Sequence, residues 1–193
     1  MIRPFQRDEP ESVEALRVQV QRDTAAVRAM SARGDARRRA RLLGRLGTGC
    51  RVLGRGEEAV RWLGEAVELS RALGDAELEI ANLIRLATAF QYAGRYDEAR
   101  AMLEKVVGRC ASGEAPDYED FALQHLGKVF AEQGRARDAI PLFERALTLR
   151  RRKGDPQLVA STERALAGVR LLLRGPNHAP DRSYGRRNVP SKK

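Results

Sequence analysis

Aromatic residues make up only 5% of this 193-residue chain, so its core has to be built from Leu, Ala and Val. That suits close-packed helices better than a β-sandwich, which draws on β-branched and aromatic side chains. Cysteine is scarce as well. Cys50 and Cys110 are the two present, neither belongs to a CxxC, and the two histidines are His125 and His178. A disulfide framework or a metal site is therefore not expected, and Cys50 is read as a small buried hydrophobe. Long apolar runs are missing too, the fullest being short stretches such as Leu171-Leu172-Leu173, so no segment is expected to span a bilayer. The opening Met1-Ile2-Arg3-Pro4-Phe5 has no apolar core of the kind a signal peptide carries, and a cytoplasmic location is expected.

Catalytic groupings are equally sparse. Ser31, Ser70 and Thr88 have no plausible base, and no GxxxxGK[ST] appears. His125, beside Leu126, is expected in a structural or groove-facing role. No set of polar groups can be assembled around a pocket, so no catalytic residue, metal ligand or cofactor is assigned and the chain is read as non-enzymatic.

What the chain does have is a period. Gly54-Arg55-Gly56-Glu57-Glu58-Ala59 returns forty residues later as Gly94-Arg95-Tyr96-Asp97-Glu98-Ala99, and forty later again as Gly134-Arg135-Ala136-Arg137-Asp138-Ala139. A second mark, Gly34-Asp35, keeps the same step at Gly74-Asp75 and, two steps on, at Gly154-Asp155; in the intervening copy Gly113-Glu114 stands one residue early. Each unit thus holds two stops and two helices, with glycine closing one helix and aspartate opening the next.

The apolar positions repeat in the same step. First helices read Leu43-x-x-Leu46-Gly47-x-x-Cys50, Leu83-x-x-Leu86-Ala87-x-x-Phe90 and Leu123-x-x-Leu126-Gly127-x-x-Phe130. Second helices read Ala59-x-x-x-Leu63-x-x-Ala66, Ala99-x-x-x-Leu103-x-x-Val106 and Ala139-x-x-x-Phe143-x-x-Ala146. These are one-face helical stripes, with a small residue where two helices come closest.

The Leu-Gly, aromatic and Ala-x-x-x-large pattern resembles that of tetratricopeptide repeat proteins. Three full copies match, at about residues 40–73, 80–113 and 120–153. The unit departs from the usual length of about 34 residues and lacks the usual closing proline, which makes it similar to the kinesin-light-chain-like subgroup and to bacterial regulators built from such repeats. HEAT-type repeats have a comparable period without this signature. The resemblance implies an all-α, right-handed superhelical solenoid of antiparallel helix pairs, with about three full repeats and a capping helix at each end. The expected boundaries are a flexible lead-in at 1–9, a capping helix at 10–35 opened by Pro10 and closed by Gly34, repeats at 36–75, 76–114 and 115–155, a second cap at 156–175, and a disordered basic tail at 176–193. Asp23 stands in place of a large residue in the first cap. Glu163 and Arg170 give the last helix a polar outer face.

The same resemblance places the first helices on a concave side. Half a turn from the core stripe lie Arg41, Gly44, Thr48 and Arg51, then Ala81, Ile84, Thr88, Gln91 and Tyr92, then Phe121, Gln124, Lys128 and Glu132, and finally Ser161 and Arg164. From these the partner-binding groove is assigned to Arg41, Thr48, Arg51, Ile84, Thr88, Gln91, Tyr92, Phe121, Gln124, Lys128 and Arg164. A groove basic at both ends, with Ile84, Tyr92 and Phe121 between, suits a protein or peptide with apolar anchors flanked by acidic residues. The carboxylate clamp of some family members is not carried over, since Gly44 and Thr48 hold its first-copy positions and Asn82 is out of phase.

Net charge is +10, and the excess falls mostly in the C-terminal third. The alternative reading is a nucleic-acid-associated accessory that uses the basic helix 37–45, with Arg37, Arg38, Arg39, Arg41 and Arg45, together with Arg182, Arg186, Arg187, Lys192 and Lys193 of the tail. Against it, no helix-turn-helix-like segment or base-stacking aromatic set is present. Self-association through the exposed caps is a third option.

Overall fold

The repeated glycine turns are the joints of the molecule. In a computed structural model describing residues 5, 8, 10–30 and 34–174, Gly54, Gly94 and Gly134 take φ of +75°, +76° and +75°. That left-handed conformation costs glycine nothing. It lets Arg55, Arg95 and Arg135 donate their amides to the carbonyls of Cys50, Phe90 and Phe130 at 2.8, 2.9 and 2.8 Å, the bond that seals a helix C-terminus. Arg95 and Arg135 then lay their guanidinium groups over the rings of Phe90 and Phe130, at 4.2 and 4.3 Å. At the other joint Asp35 and Asp75 accept the amides of Arg38 and Leu78 at 2.9 and 3.1 Å, so each caps the helix it precedes.

Among the described residues eight α-helices result: α1 (Val13–Ala29), α2 (Ala36–Val52), α3 (Gly56–Ala72), α4 (Ala76–Tyr92), α5 (Tyr96–Ala111), α6 (Glu119–Glu132), α7 (Ala136–Lys153) and α8 (Pro156–Arg174). Each packs on the next in sequence, and α2, α4, α6 and α8 also touch one another in order. The even-numbered helices therefore form an inner layer and the helices between them an outer one. This is an all-helical solenoid, as the period predicts.

The small residues stand where the helices meet. A Cβ on Gly47 would lie 2.5 Å from Leu63 Cγ, and one on Gly127 would lie 2.8 Å from Phe143 Cε1. Ala87, in the same register, is fully buried like the Leu103 of its own unit. Of the first-helix stripe only Leu83 is half-buried rather than buried.

Three boundaries differ from the sequence reading. Pro10 does not open α1; Ser12 does, accepting the Ala15 amide at 3.2 Å. Nor does Gly34 close it, because α1 already ends at Ala29, where Met30 turns extended. In the third unit Ala115 stands where Asp35 and Asp75 cap the earlier ones. Without that carboxylate the chain makes a 3-10 turn over Pro116–Tyr118 before α6 begins.

At the N-terminal end Val20 and Val27 of α1 pack on α2, and buried Asp23 receives two bonds from Arg45 at 2.6 and 2.7 Å. At the other end Ala165, Leu166 and Val169 of α8 are buried, while Glu163 and Arg170 pair on the surface with Arg151 and Glu144 at 2.9 and 3.0 Å. The tail at 176–193 lies outside the described residues. No helix among those described is long and apolar enough to cross a membrane.

Candidate functional site

Because a first helix buries one stripe against its own second helix, the residues half a turn round look across the inner layer. A cavity of about 240 Å³ opens there. Thr48 and Arg51 of α2 form one side, and Ile84, Arg85 and Thr88 of α4 the next. Phe121, Gln124, His125 and Lys128 of α6 continue it, and Leu158 and Ser161 of α8 close it with Asp8 and Arg150.

Seven of the eleven residues assigned from sequence thus come together: Thr48, Arg51, Ile84, Thr88, Phe121, Gln124 and Lys128. Four do not line this cavity. Arg41 and Arg164 are exposed, so positive charge is gathered inside the cavity rather than placed at its ends. Gln91 is buried. Tyr92 sits just beyond the wall, its ring 4.3 Å from the Arg51 guanidinium.

The cavity's electrostatics are set by cations held out of water. Arg51 is buried and meets the carboxylate of Asp8 at 2.7 Å. Burial opposes ionisation of Asp8, yet the Arg51 guanidinium, helped by Lys128, outweighs it and holds the carboxyl below its ordinary range. Burial also lowers the pKa of Lys128, and Arg51 and Arg150 act in the same direction. His125 is pushed down to about 3, first by burial and then by Lys128 and Arg51. It is therefore a neutral ring at ordinary pH. Thr88 directs its hydroxyl hydrogen to the Ile84 carbonyl at 2.7 Å, so its oxygen accepts Nδ1–H of His125 at 3.1 Å. Nε2 is left as the acceptor.

Gln124 is buried in the cavity wall, and neither its carboxamide oxygen nor its nitrogen has a hydrogen-bond partner. An unmade buried hydrogen bond costs about 1–3 kcal/mol. The groups able to satisfy this one must enter from the cavity.

Sequence reasoning missed Asp8, Arg85, Arg150 and Leu158 at this site. Arg150 belongs to an outer helix, α7, and reaches inward to donate to buried Asp120 at 2.8 Å and to Thr162 at 2.8 Å. A signal for this pair was present. Forty and eighty residues before Arg150 stand Cys110 and Ser70, and before Asp120 stand Ile80 and Ala40. Opposite charges at two buried register positions are the mark of an ion pair. No such mark exists for Asp8, which lies outside the repeats.

The basic run on α2 is largely engaged. Arg37 pairs with Asp75 at 2.7 Å, Arg39 with Glu65 at 2.7 Å and Arg45 with Asp23 at 2.6 Å, which leaves Arg38 and Arg41. Among the described residues no three of His, Cys, Asp and Glu are grouped to hold a metal ion.

Comparisons with known proteins agree with the helical-repeat fold. One family model for the tetratricopeptide repeat matches residues 38–111, and a second of the same description matches residues 122–157. Two solved structures of nearly identical TPR-like repeats, from a Podosopora anserina protein assigned as a kinesin light chain, share the fold. The first is 21% identical with a TM-score of 0.57, covering 82% of this chain and 77% of that one. The second, a point variant of the same protein, is 20% identical with a TM-score of 0.59 over the same shares. At these identities the likeness concerns the fold. No curated protein matches the chain.

Proposed function

This chain belongs to the tetratricopeptide repeat family, and on that premise we propose that it is a non-enzymatic adaptor or regulatory module whose inner face binds a protein segment. Repeats of this family form scaffolds for protein–protein interaction. The observation that carries the reading is the cavity across α2, α4, α6 and α8, where buried cations surround an unpartnered Gln124 carboxamide between Ile84 and Phe121. An acidic segment matches the positive charge gathered there, its backbone offers the hydrogen bonds that Gln124 lacks, and an apolar side chain meets Ile84 and Phe121. The ion pairs on Arg37, Arg39 and Arg45 favour this over phosphate binding by the same helix.

A random peptide library displayed on phage and panned against the full chain tests the proposal. Selected peptides should be rich in Asp and Glu beside an apolar anchor. They should lose at least about tenfold in affinity, about 1.4 kcal/mol, on Lys128→Glu or Arg51→Gln. Selected peptides that bind both folded variants as tightly as the wild type would place the interaction elsewhere.

A further inference from the structure

One cation is copied along the repeat without its partner. Arg45 of α2 pairs with buried Asp23 of α1 at 2.6 Å. Forty residues on, the same two positions hold Arg85 of α4 and Leu63 of α3. Arg85 is half-buried, and its Nη1 donates to the Asn82 carboxamide oxygen at 2.8 Å. Among the described residues no carboxylate meets it. Charges taken out of water are normally paired, and here burial lowers the Arg85 pKa from its ordinary value. A guanidinium carries several N–H donors, and Arg85 presents its own at the wall of the cavity.

Two more sets of unmade bonds lie on the same cavity. Arg51 is buried, and while its Nη2 meets Asp8, its Nη1 has no partner. The Gln124 carboxamide, buried on α6, has none on either atom. Arg51 is fixed by Asp8 and the Tyr92 ring, and Arg85 by Asn82. Donors already held around one space bind an oxyanion with little further ordering. The hydroxyls of Thr48 and Thr88 are committed to the Gly44 and Ile84 carbonyls at 2.9 and 2.7 Å, so they add no donor.

Size narrows the ligand. The cavity's 240 Å³ falls below the roughly 300–1,000 Å³ of pockets that take drug-sized molecules. It excludes a nucleotide and admits a small acid. Ile84 and Phe121 stand beside the donors, so the acid carries a short apolar body.

We propose that the cavity binds a free small oxyanion with a short apolar body, and that this ligand regulates the scaffold. Its charged head lies on Arg85, Arg51 Nη1 and the Gln124 amide nitrogen, its body against Ile84 and Phe121. A carboxylate and a phosphate monoester share this head chemistry. The ligand and a bound protein segment meet the same two apolar residues, so they exclude each other. That competition, unlike the ligand site itself, rests on the inner-face reading above.

Isothermal titration calorimetry of the full chain with benzoate and with phenyl phosphate tests the site. Benzamide is the uncharged control and inorganic phosphate the head alone. At least one aromatic anion should bind in a single site, at least about tenfold more tightly than benzamide, as expected of one charge-assisted hydrogen bond. The tighter of the two anions identifies the head, and inorganic phosphate should bind more weakly than phenyl phosphate. Arg85→Gln should weaken the anion at least about tenfold and leave benzamide unchanged. Arg38→Gln, at an exposed cation of α2, should alter neither. Gln124→Leu removes an unsatisfied carboxamide, so it should raise the urea midpoint while weakening the anion, a separation that a purely structural residue does not show. Circular dichroism checks that each variant is folded; should Arg85→Gln unfold the chain, an affinity unchanged by Gln124→Leu overturns the site. It is overturned equally if no anion binds at about millimolar concentration, or if Arg85→Gln and Arg38→Gln weaken binding alike. Anions that bind through Arg85 yet leave library-selected peptides in place keep the site and remove the competition. Anions that fail while those peptides still depend on Arg51 and Lys128 leave the inner-face reading standing alone.

Discussion

His125 shows at the scale of one residue what the cavity does to a side chain. Its pKa falls from the ordinary 6.5 to about 3, chiefly by burial. The folded chain therefore refuses a proton that the unfolded chain accepts. Above pH 6.5 the ring is neutral in both states and stability is unaffected. Below 6.5 stability drains away, at up to about 1.4 kcal/mol per pH unit, until the folded ring also protonates near pH 3. Urea midpoints measured from pH 7 to pH 5 should fall more steeply for the wild type than for His125→Gln. Parallel curves would mean that the ring takes up its proton without resistance. The sequence placed His125 on an inner helix, but its pKa depends on Lys128, Arg51 and Arg150 converging on it, and only the fold arranges that.

At the scale of the helix, glycines of one chemistry have opposite roles. Gly127 meets the Phe143 ring at the distance of a missing Cβ, whereas Gly64, also within a helix, has nothing within 4 Å of where a Cβ would lie. Gly127→Ala should lower stability by about 1–3 kcal/mol through overpacking, more than the roughly 1 kcal/mol gained in helix propensity. Gly64→Ala should raise it by about 0.5–1 kcal/mol. Thermal denaturation of the pair decides; equal shifts of one sign would refute the packing argument. This much was legible beforehand, because the small residue recurs at 47, 87 and 127 opposite a large one at 63, 103 and 143. The ends of α1 were not legible. Pro10 and Gly34 carry the usual signals for a helix start and stop, but Ser12 supplies the cap at one end and the chain leaves the helix at Met30 at the other.

For the whole molecule, the decisive contacts are those that tie one unit to the next. Asp120 of α6 is fully buried and accepts from Arg150 of α7, which also bonds Thr162 and the Leu158 carbonyl of α8. One carboxylate thus orients the side chain that connects the last repeat to its cap. Asp120→Ala leaves Arg150 buried without its countercharge, and should destabilise the chain by about 3–5 kcal/mol. Because a solenoid is stabilised by neighbour contacts, the loss should appear first as hydrogen exchange in α8 and last in α3. Uniform exchange along the chain would contradict that order.

The sequence by itself determined the period, the helix pairs, the glycine joints and the buried stripes. Each of these is settled within one unit or between adjacent ones, by local hydrogen bonding and a 3.6-residue repeat. Only the tertiary structure decided which first-helix residues share a cavity, and that Phe5 reaches Glu132, 127 positions away. Such meetings depend on the rotation accumulated from unit to unit, which no single unit's pattern records.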